Sequence, residues 1–206
     1  MPGKTVTLTG TPQSAQDAAT KAYVDAQDAI LGGAISAVDY GALAWTTDPQ
    51  TTGSIATAVG GVYATVFRAA ASGVCTKMWM HCSLLQTTPT GIFVGIFDMA
   101  GNQLGISATA HIAFQTQGQK SIPLLTSVNL VAGQKYVAGW LVVGGTAPTI
   151  VSSFGATSPA LSQVLSNTAP LRQMKTVSTT RTAFTNPEVW TGYAVVGNAP
   201  LALMSV

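Results

Sequence analysis

The sequence predicts a mainly β protein, with a short amino-terminal α-helical stalk followed by an antiparallel β-sandwich head of jelly-roll type. Three observations predict it. Beyond residue 40, short runs of alternating apolar and polar residues recur between Gly-, Pro- and Asn-rich turns, as in stacked antiparallel strands. Before residue 40 the pattern is helical. Charge also divides there: residues 1–40 carry Lys4 and Lys21 against Asp17, Asp25, Asp28 and Asp39, whereas residues 41–206 carry seven of the nine basic and three of the seven acidic residues. The predicted domains are therefore an anchor and stalk at 1–40 and a head at 41–206.

The stalk begins at Ser14, which suits an N-cap, with Asp17 facing the positive end of the helix dipole. Good helix formers then run to Leu31. Gly32-Gly33 weakens the pattern, and Ala34 to Val38 resumes it. Val24, Leu31 and Val38 recur at sevens with Gln27 and Ala34 between them, an a/d seam of a few heptads with one polar residue in it. A lone helix of this length is marginal in water, so the seam calls for partner helices ahead of packing on the chain's own head.

In the head, strands are predicted at 62–68, 74–84, 92–98, 103–109, 121–125, 135–143 and 149–154. Asp98 to Asn102 reads as a hairpin connection and Ala132-Gly133-Gln134 as a second tight turn. A helical turn is expected at 158–166 and a long exposed loop at 176–187. Segments 190–196 and 201–206 would close the sheets. Seven or more such strands mean a sandwich, with the jelly roll as the expected form.

Composition narrows the function. Only 8% of the 206 residues are charged while 47% are hydrophobic, which excludes a disordered chain. The mean hydropathy of +0.37 comes from scattered Ala, Val and Ile, and the longest apolar stretch, 132–145, is cut by Gln134 and Lys135, so no membrane insertion is expected. A net charge of +2 without a basic cluster does not suit nucleic acid. The first residues lack an apolar core for export. Cys75 and Cys82 would sit about 23 Å apart on opposite faces of one strand, so free thiols, and folding in a reducing cytoplasm, are expected.

Catalysis is not expected, and no cofactor or metal site is read. The histidines are His81 and His111, and the head's carboxylates are Asp48, Asp98 and Glu188. Nothing recommends Asp48 and Glu188 as a glycosidase pair, and Asp98 is explained by its turn. His81-Cys82 lacks metal-ligand spacing. Binding is the better prospect. Along 74–84, Val74, Met78, Met80, Cys82 and Leu84 form the expected core face, and Cys75, Lys77, Trp79 and His81 the opposite one. Trp79 is read first as a subunit contact and second as a sugar platform. Trp190 and Tyr193 beside Asn186-Pro187 are the other aromatic candidates for ligand contact. Tyr136 and Trp140 are expected in the core, and Trp45 is expected to plug the base of the head. Arg172, Lys175 and Arg181 are expected as solvated loop charge, or as contacts to an anionic glycan.

Residues 8–25, and within them Asp17, Ala18, Ala19, Thr20, Lys21, Tyr23, Val24 and Asp25, resemble a segment common in bacteriophage tail fibre and related appendage proteins, in which a Pro-containing turn leads into a DAATKxYVD helix start. The resemblance covers under a tenth of the chain. It implies a trimeric shaft, with Asp17, Ala18, Ala19, Thr20, Tyr23, Val24, Leu31 and Val38 in virion attachment and the trimer seam. A second resemblance, carried by Val94 to Leu104 and Leu130 to Trp140, is to jelly-roll domains in minor virion proteins of actinobacterial phages. Together they imply a virion structural protein on the particle's exterior, assembled in the host cytoplasm. Its implied partners are two copies of itself, another tail or capsid protein held by the amino terminus, and a host-surface glycan. The alternative is a capsid decoration or head fibre protein without a dedicated receptor. A depolymerase is the most distant implication. Long tail fibres differ in having an extended repeat shaft.

Overall fold

Apolar runs of strand length separated by turns allow two sheets to share a core, and the structure, a computed structural model, shows two sheets doing so. It describes residues 37–46, 52–84, 89–154, 173–176, 180–195, 198–200 and 202–206. The strands are β1 (Ala44–Trp45), β2 (Thr52–Ala56), β3 (Val62–Arg68), β4 (Gly73–Leu84), β5 (Gly91–Phe97), β6 (Gln103–Ile106), β7 (Gly118–Leu130), β8 (Lys135–Val143), β9 (Thr149–Phe154), β10 (Gln173–Thr176), β11 (Tyr193–Val195), β12 (Asn198–Pro200) and β13 (Leu203–Ser205). In the first sheet β2, β9, β4 and β7 are neighbours in that order; β13 also pairs with β4, β1 with β13, and β12 with β9. The second sheet runs β11-β10-β3-β8-β5-β6. Every strand pairing within the sheets is antiparallel.

Between the sheets lie Met78, Met80, Cys82, Ile122 and Ile150 from the first and Tyr63, Phe67, Ile92, Val94, Ile96, Tyr136 and Trp140 from the second. Tyr136 and Trp140 are thus core residues, as expected. Phe114, from a 3-10 turn at His111–Gln115, stacks edge-on against Trp140 at 5.1 Å. The expected strands at 62–68, 135–143 and 149–154 form with those bounds. The segment expected at 121–125 is the middle of the longer β7. The one expected at 103–109 ends at Ile106: Ser107 instead makes a single bridge to Leu124, and its hydroxyl accepts the Val94 N–H.

The expected face assignment of β4 fails at its start. Cys75 pairs with Val128 but Lys77 with Pro123, so only Thr76 on β4 faces residues 124–127 on β7. Alternation changes sign across this irregularity. Val74 turns outward at 44% exposure and Cys75 turns in, while Met78, Met80 and Cys82 stay in the core. Both cysteines therefore point inward, not to opposite faces, and neither forms a disulfide. Burial pushes the Cys75 thiol up, against partial offsets from the Lys77 and Ser205 backbone.

The exposed loop expected at 176–187 holds for most residues from 180 on, but Phe184 within it is buried, Arg181 is half-buried, and Thr176 is the buried end of β10. Strand β8 is apolar on both faces, so its outer face also needs a cover. Phe184, Trp190 and Tyr193 supply it, packing on Val62, Ala64, Phe97, Val137, Leu141 and Met174. Gly95 and Gly139 pair across β5 and β8 and leave a trough filled by the rings of Phe97 and Phe184; a Cβ on Gly139 would come within 3.0 Å of both rings. Residues 190–192 form a 3-10 turn, so the strand expected at 190–196 is reduced to β11.

Both tight turns form where expected. The Asp98 backbone N–H donates to the Asn102 carbonyl, and the Asp98 carboxylate accepts the Asn102 backbone and amide N–H groups at 2.9 and 2.7 Å. Burial pushes this carboxyl up, but hydrogen bonds from Asn102, Ala100 and Gly101 outweigh it and hold the group below its ordinary value. The Gln134 N–H closes the second turn on the Val131 carbonyl. Residues 37–206 group as one compact unit, and Ala37 is buried in it. Val38, the last residue of the expected seam, is half exposed in a 3-10 turn at Ala37–Tyr40. The rest of the stalk lies outside the described residues, as does the turn expected at 158–166.

Two outcomes follow from this packing. Gly101 has φ +93, and a Cβ there would strike the backbone carbonyl of Glu188. Gly101→Ala is expected to cost about 2 kcal/mol or more and to lower the urea midpoint, whereas Gly133→Ala, also at positive φ but in open space, costs about 1 kcal/mol. Neither thiol should react with an aromatic disulfide reagent in the native protein, and both should react in 6 M guanidinium (roughly the range that unfolds even very stable domains). Fast native labelling of either would contradict their burial.

Candidate functional site

Strand pairing brings together side chains that the sequence leaves far apart. Residues directly opposite in an antiparallel ladder lie on the same face. Trp45 pairs with Leu203, Leu203 with Trp79, and Trp79 with Ser121, so these four form one row across β1, β13, β4 and β7. The neighbouring row, Ala44, Met204, Met78 and Ile122, is the core row and is fully buried. The Trp79 row therefore faces outward, and Trp45, Leu203 and Trp79 are all partly exposed. Trp45 lies on this outer face and does not plug the base of the head.

Trp79 sits at the centre. Its indole N–H donates to the Ser205 hydroxyl at 3.0 Å, which fixes the ring across two strands. The Lys77 ammonium stands 5.8 Å from the ring centroid, within cation–π range. On the other side His81 is exposed and pairs with Gln119. Ser121, Pro123 and Gln119 of β7 are all exposed and border the row. The structure thus keeps Lys77, Trp79 and His81 together on one accessible face, and adds Trp45, Leu203 and Ser205. Only β-pairing could have revealed the additions, since Trp45 and Leu203 lie at opposite ends of the head's sequence.

Trp190 and Tyr193 are elsewhere. Both are buried in the second core, with Trp190 edge-on to Phe97 at 5.6 Å and to Tyr193 at 5.3 Å. Beside them is an ion pair. Glu188 is 1% exposed and accepts both its short contacts from Arg181 Nη2 at 2.8 Å, the Thr185 backbone N–H at 2.8 Å and the Tyr193 hydroxyl at 3.0 Å. Arg181 is therefore not a solvated loop charge. Burial, and then the negative charge and hydrogen bond of Glu188, hold the Tyr193 phenol far above its ordinary value, partly offset by Arg181. The Arg181 N–H bonds the Gly60 carbonyl, the Glu188 N–H the Gly101 carbonyl, and the Asn186 side chain accepts the Gln103 N–H, so the segment is fastened at both ends. Both Glu188 carboxylate oxygens are occupied by these partners. Lys175 lies 5.0 Å over the Tyr63 ring; Arg172 and Asp48 lie outside the described residues.

A void between the sheets, lined by Tyr63, Thr65, Met78, Met80, Trp140 and Ala202, measures about 10 Å³, enough for one water. Among the described residues no three His, Cys, Asp or Glu side chains cluster as metal ligands. The outer face of the first sheet is therefore the candidate site. No protein-family model and no curated protein matches the chain.

The ion pair makes an asymmetric prediction. Arg181→Ala leaves Glu188 buried and unpaired and is expected to cost about 3–5 kcal/mol. Glu188→Gln keeps the shape and leaves Arg181, 25% exposed, open to water, so it should cost clearly less, about 1–3 kcal/mol. Equal losses in chemical denaturation would mean that the pair is not what holds the segment.

Proposed function

We propose that this chain is a bacteriophage virion protein: a trimeric tail fibre or spike whose amino terminus grips another virion protein and whose β head adheres to a host-surface glycan. The carrying observation is the Asp17 to Asp25 segment, with its tail-fibre wording, ahead of a β head. The strand order supports the reading of the head. Sheets ordered β2-β9-β4-β7 and β3-β8-β5-β6 have the connectivity of a jelly roll, the form the second resemblance implies. The outer face of the first sheet supports adhesion, because it offers aromatic and hydroxyl groups without catalytic geometry.

The stalk reading makes the trimer a property of residues 1–40. Light scattering of the full chain should give three times 21.0 kDa, and deletion of residues 1–40 should give a soluble head that no longer joins virions. A monomeric full chain, or a deletion variant still incorporated, would remove the stalk. Antibody labelling of the particle decides the location: label at the tail tip supports adhesion, and label over the capsid replaces it with the decoration protein.

A further inference from the structure

We propose that the Trp45–Leu203–Trp79 row is the saccharide platform of this head, and that it takes an acidic sugar chain, with Lys77 receiving the carboxylate. The inference rests on the adhesion reading and names its ligand class. The first support is shape. The row runs across three adjacent strands, and its two indoles are two strands apart, about 10 Å. Weakly positive C–H bonds on the flat side of a pyranose ring match the negative face of an indole. The indole N–H of Trp79 is held by Ser205, so its ring is preorganised at little further entropic cost.

Charge supplies the second support. The seven strands of the first sheet contain no Asp or Glu; their ionisable side chains of positive type are Lys77, His81 and Lys120. Lys120 points inward, where its ammonium donates to the Thr116 hydroxyl at 2.7 Å and the Gln117 carbonyl at 3.2 Å. Lys77 and His81 remain on the outer face, on either side of Trp79. Among the described residues Lys77 has no carboxylate partner, its neighbour being the Trp79 ring. A sugar stacked on that ring with an equatorial carboxylate would reach the ammonium.

The same facts disfavour a second copy of this face. Interface cores are depleted in Lys and Ser, and a face-to-face copy would bring lysines to lysines with no acid to pair them. Single-stranded nucleic acid also stacks on aromatic rings, but it needs a track of cations along its backbone. One lysine and one histidine on one strand do not make one.

The test uses the full chain, titrated by tryptophan fluorescence with an oligogalacturonate and with an uncharged malto-oligosaccharide of equal length. The acidic chain should quench saturably and bind at least tenfold more tightly than the neutral one. Lys77→Gln should remove that preference and its salt dependence. Trp79→Ala should abolish binding, while Trp79→Phe, which keeps a ring, should retain part of it; circular dichroism and light scattering check that each variant stays folded and assembled. Absence of binding by the acidic chain, equal binding of both sugars, an unaffected Lys77→Gln variant, or tighter binding of a single-stranded oligonucleotide would each overturn the proposal. Loss of the oligomer in Trp79→Ala would also overturn it, in favour of a subunit contact. A parallel assay on cells that adsorb the virion separates the two levels. If the wild-type chain binds cells and both variants bind equally, the platform is wrong and adhesion stands. If the wild-type chain does not bind, adhesion itself fails.

Discussion

The arrangement of the head depends on one irregular pairing, the single residue Thr76 of β4 set against residues 124–127 of β7. A period-2 strand has no means of changing which face it buries except by such an insertion. Here the change turns Cys75 inward and lets Met78, Met80 and Cys82 continue the core, which leaves Lys77, Trp79 and His81 outside. The same excursion carries β7 away from β4 toward the second sheet. Leu124 bridges Ser107, and a Cβ on Gly105 would lie 2.5 Å from Val128 and 2.7 Å from the Thr126 carbonyl. The two sheets are joined along that edge only because Gly105 has no side chain there.

The second constraint is the doubly apolar strand β8. One face completes the core between the sheets, and the other would be exposed without the segment from 180 to 193. That segment is held by apolar burial of Phe184 and Trp190, about 1.5–3 kcal/mol for a ring of that kind, and by the Arg181–Glu188 pair. A charge-poor protein thus places its one glutamate where four donor contacts meet it, and the seven strands of the first sheet carry no Asp or Glu. Stability and the candidate binding face are separated: the ion pair lies on the outer side of one sheet, and the tryptophan row on the outer side of the other.

Much of the fold was legible in the residues. Val62 to Arg68 and Lys135 to Val143 are apolar runs of strand length rich in Val and aromatic residues, so their bounds could be read directly, and Asp98-Met-Ala-Gly-Asn102 announces its turn by chemistry that acts within five residues. The site was legible only in part. Lys77, Trp79 and His81 share a face because they share a strand, whereas Trp45 and Leu203 join them through pairings spanning most of the head. Arg181 looked like a loop charge and Glu188 like an unassigned carboxylate because their sequence neighbourhood is polar; Glu188 is buried where the segment docks on Gly101, which is remote in sequence, and Arg181 pairs with it there.

Sequence alone determined the quantities that arise from neighbours along the chain: the strand periodicity, the turns, the poverty of charge, and the expectation of two free thiols. The tertiary structure decided which face each strand presents, because an irregular pairing of one residue against four reverses the alternation of β4 and leaves no mark in its sequence. It also decided which polar groups are buried, because burial depends on covering segments whose docking is a sum of contacts between distant residues.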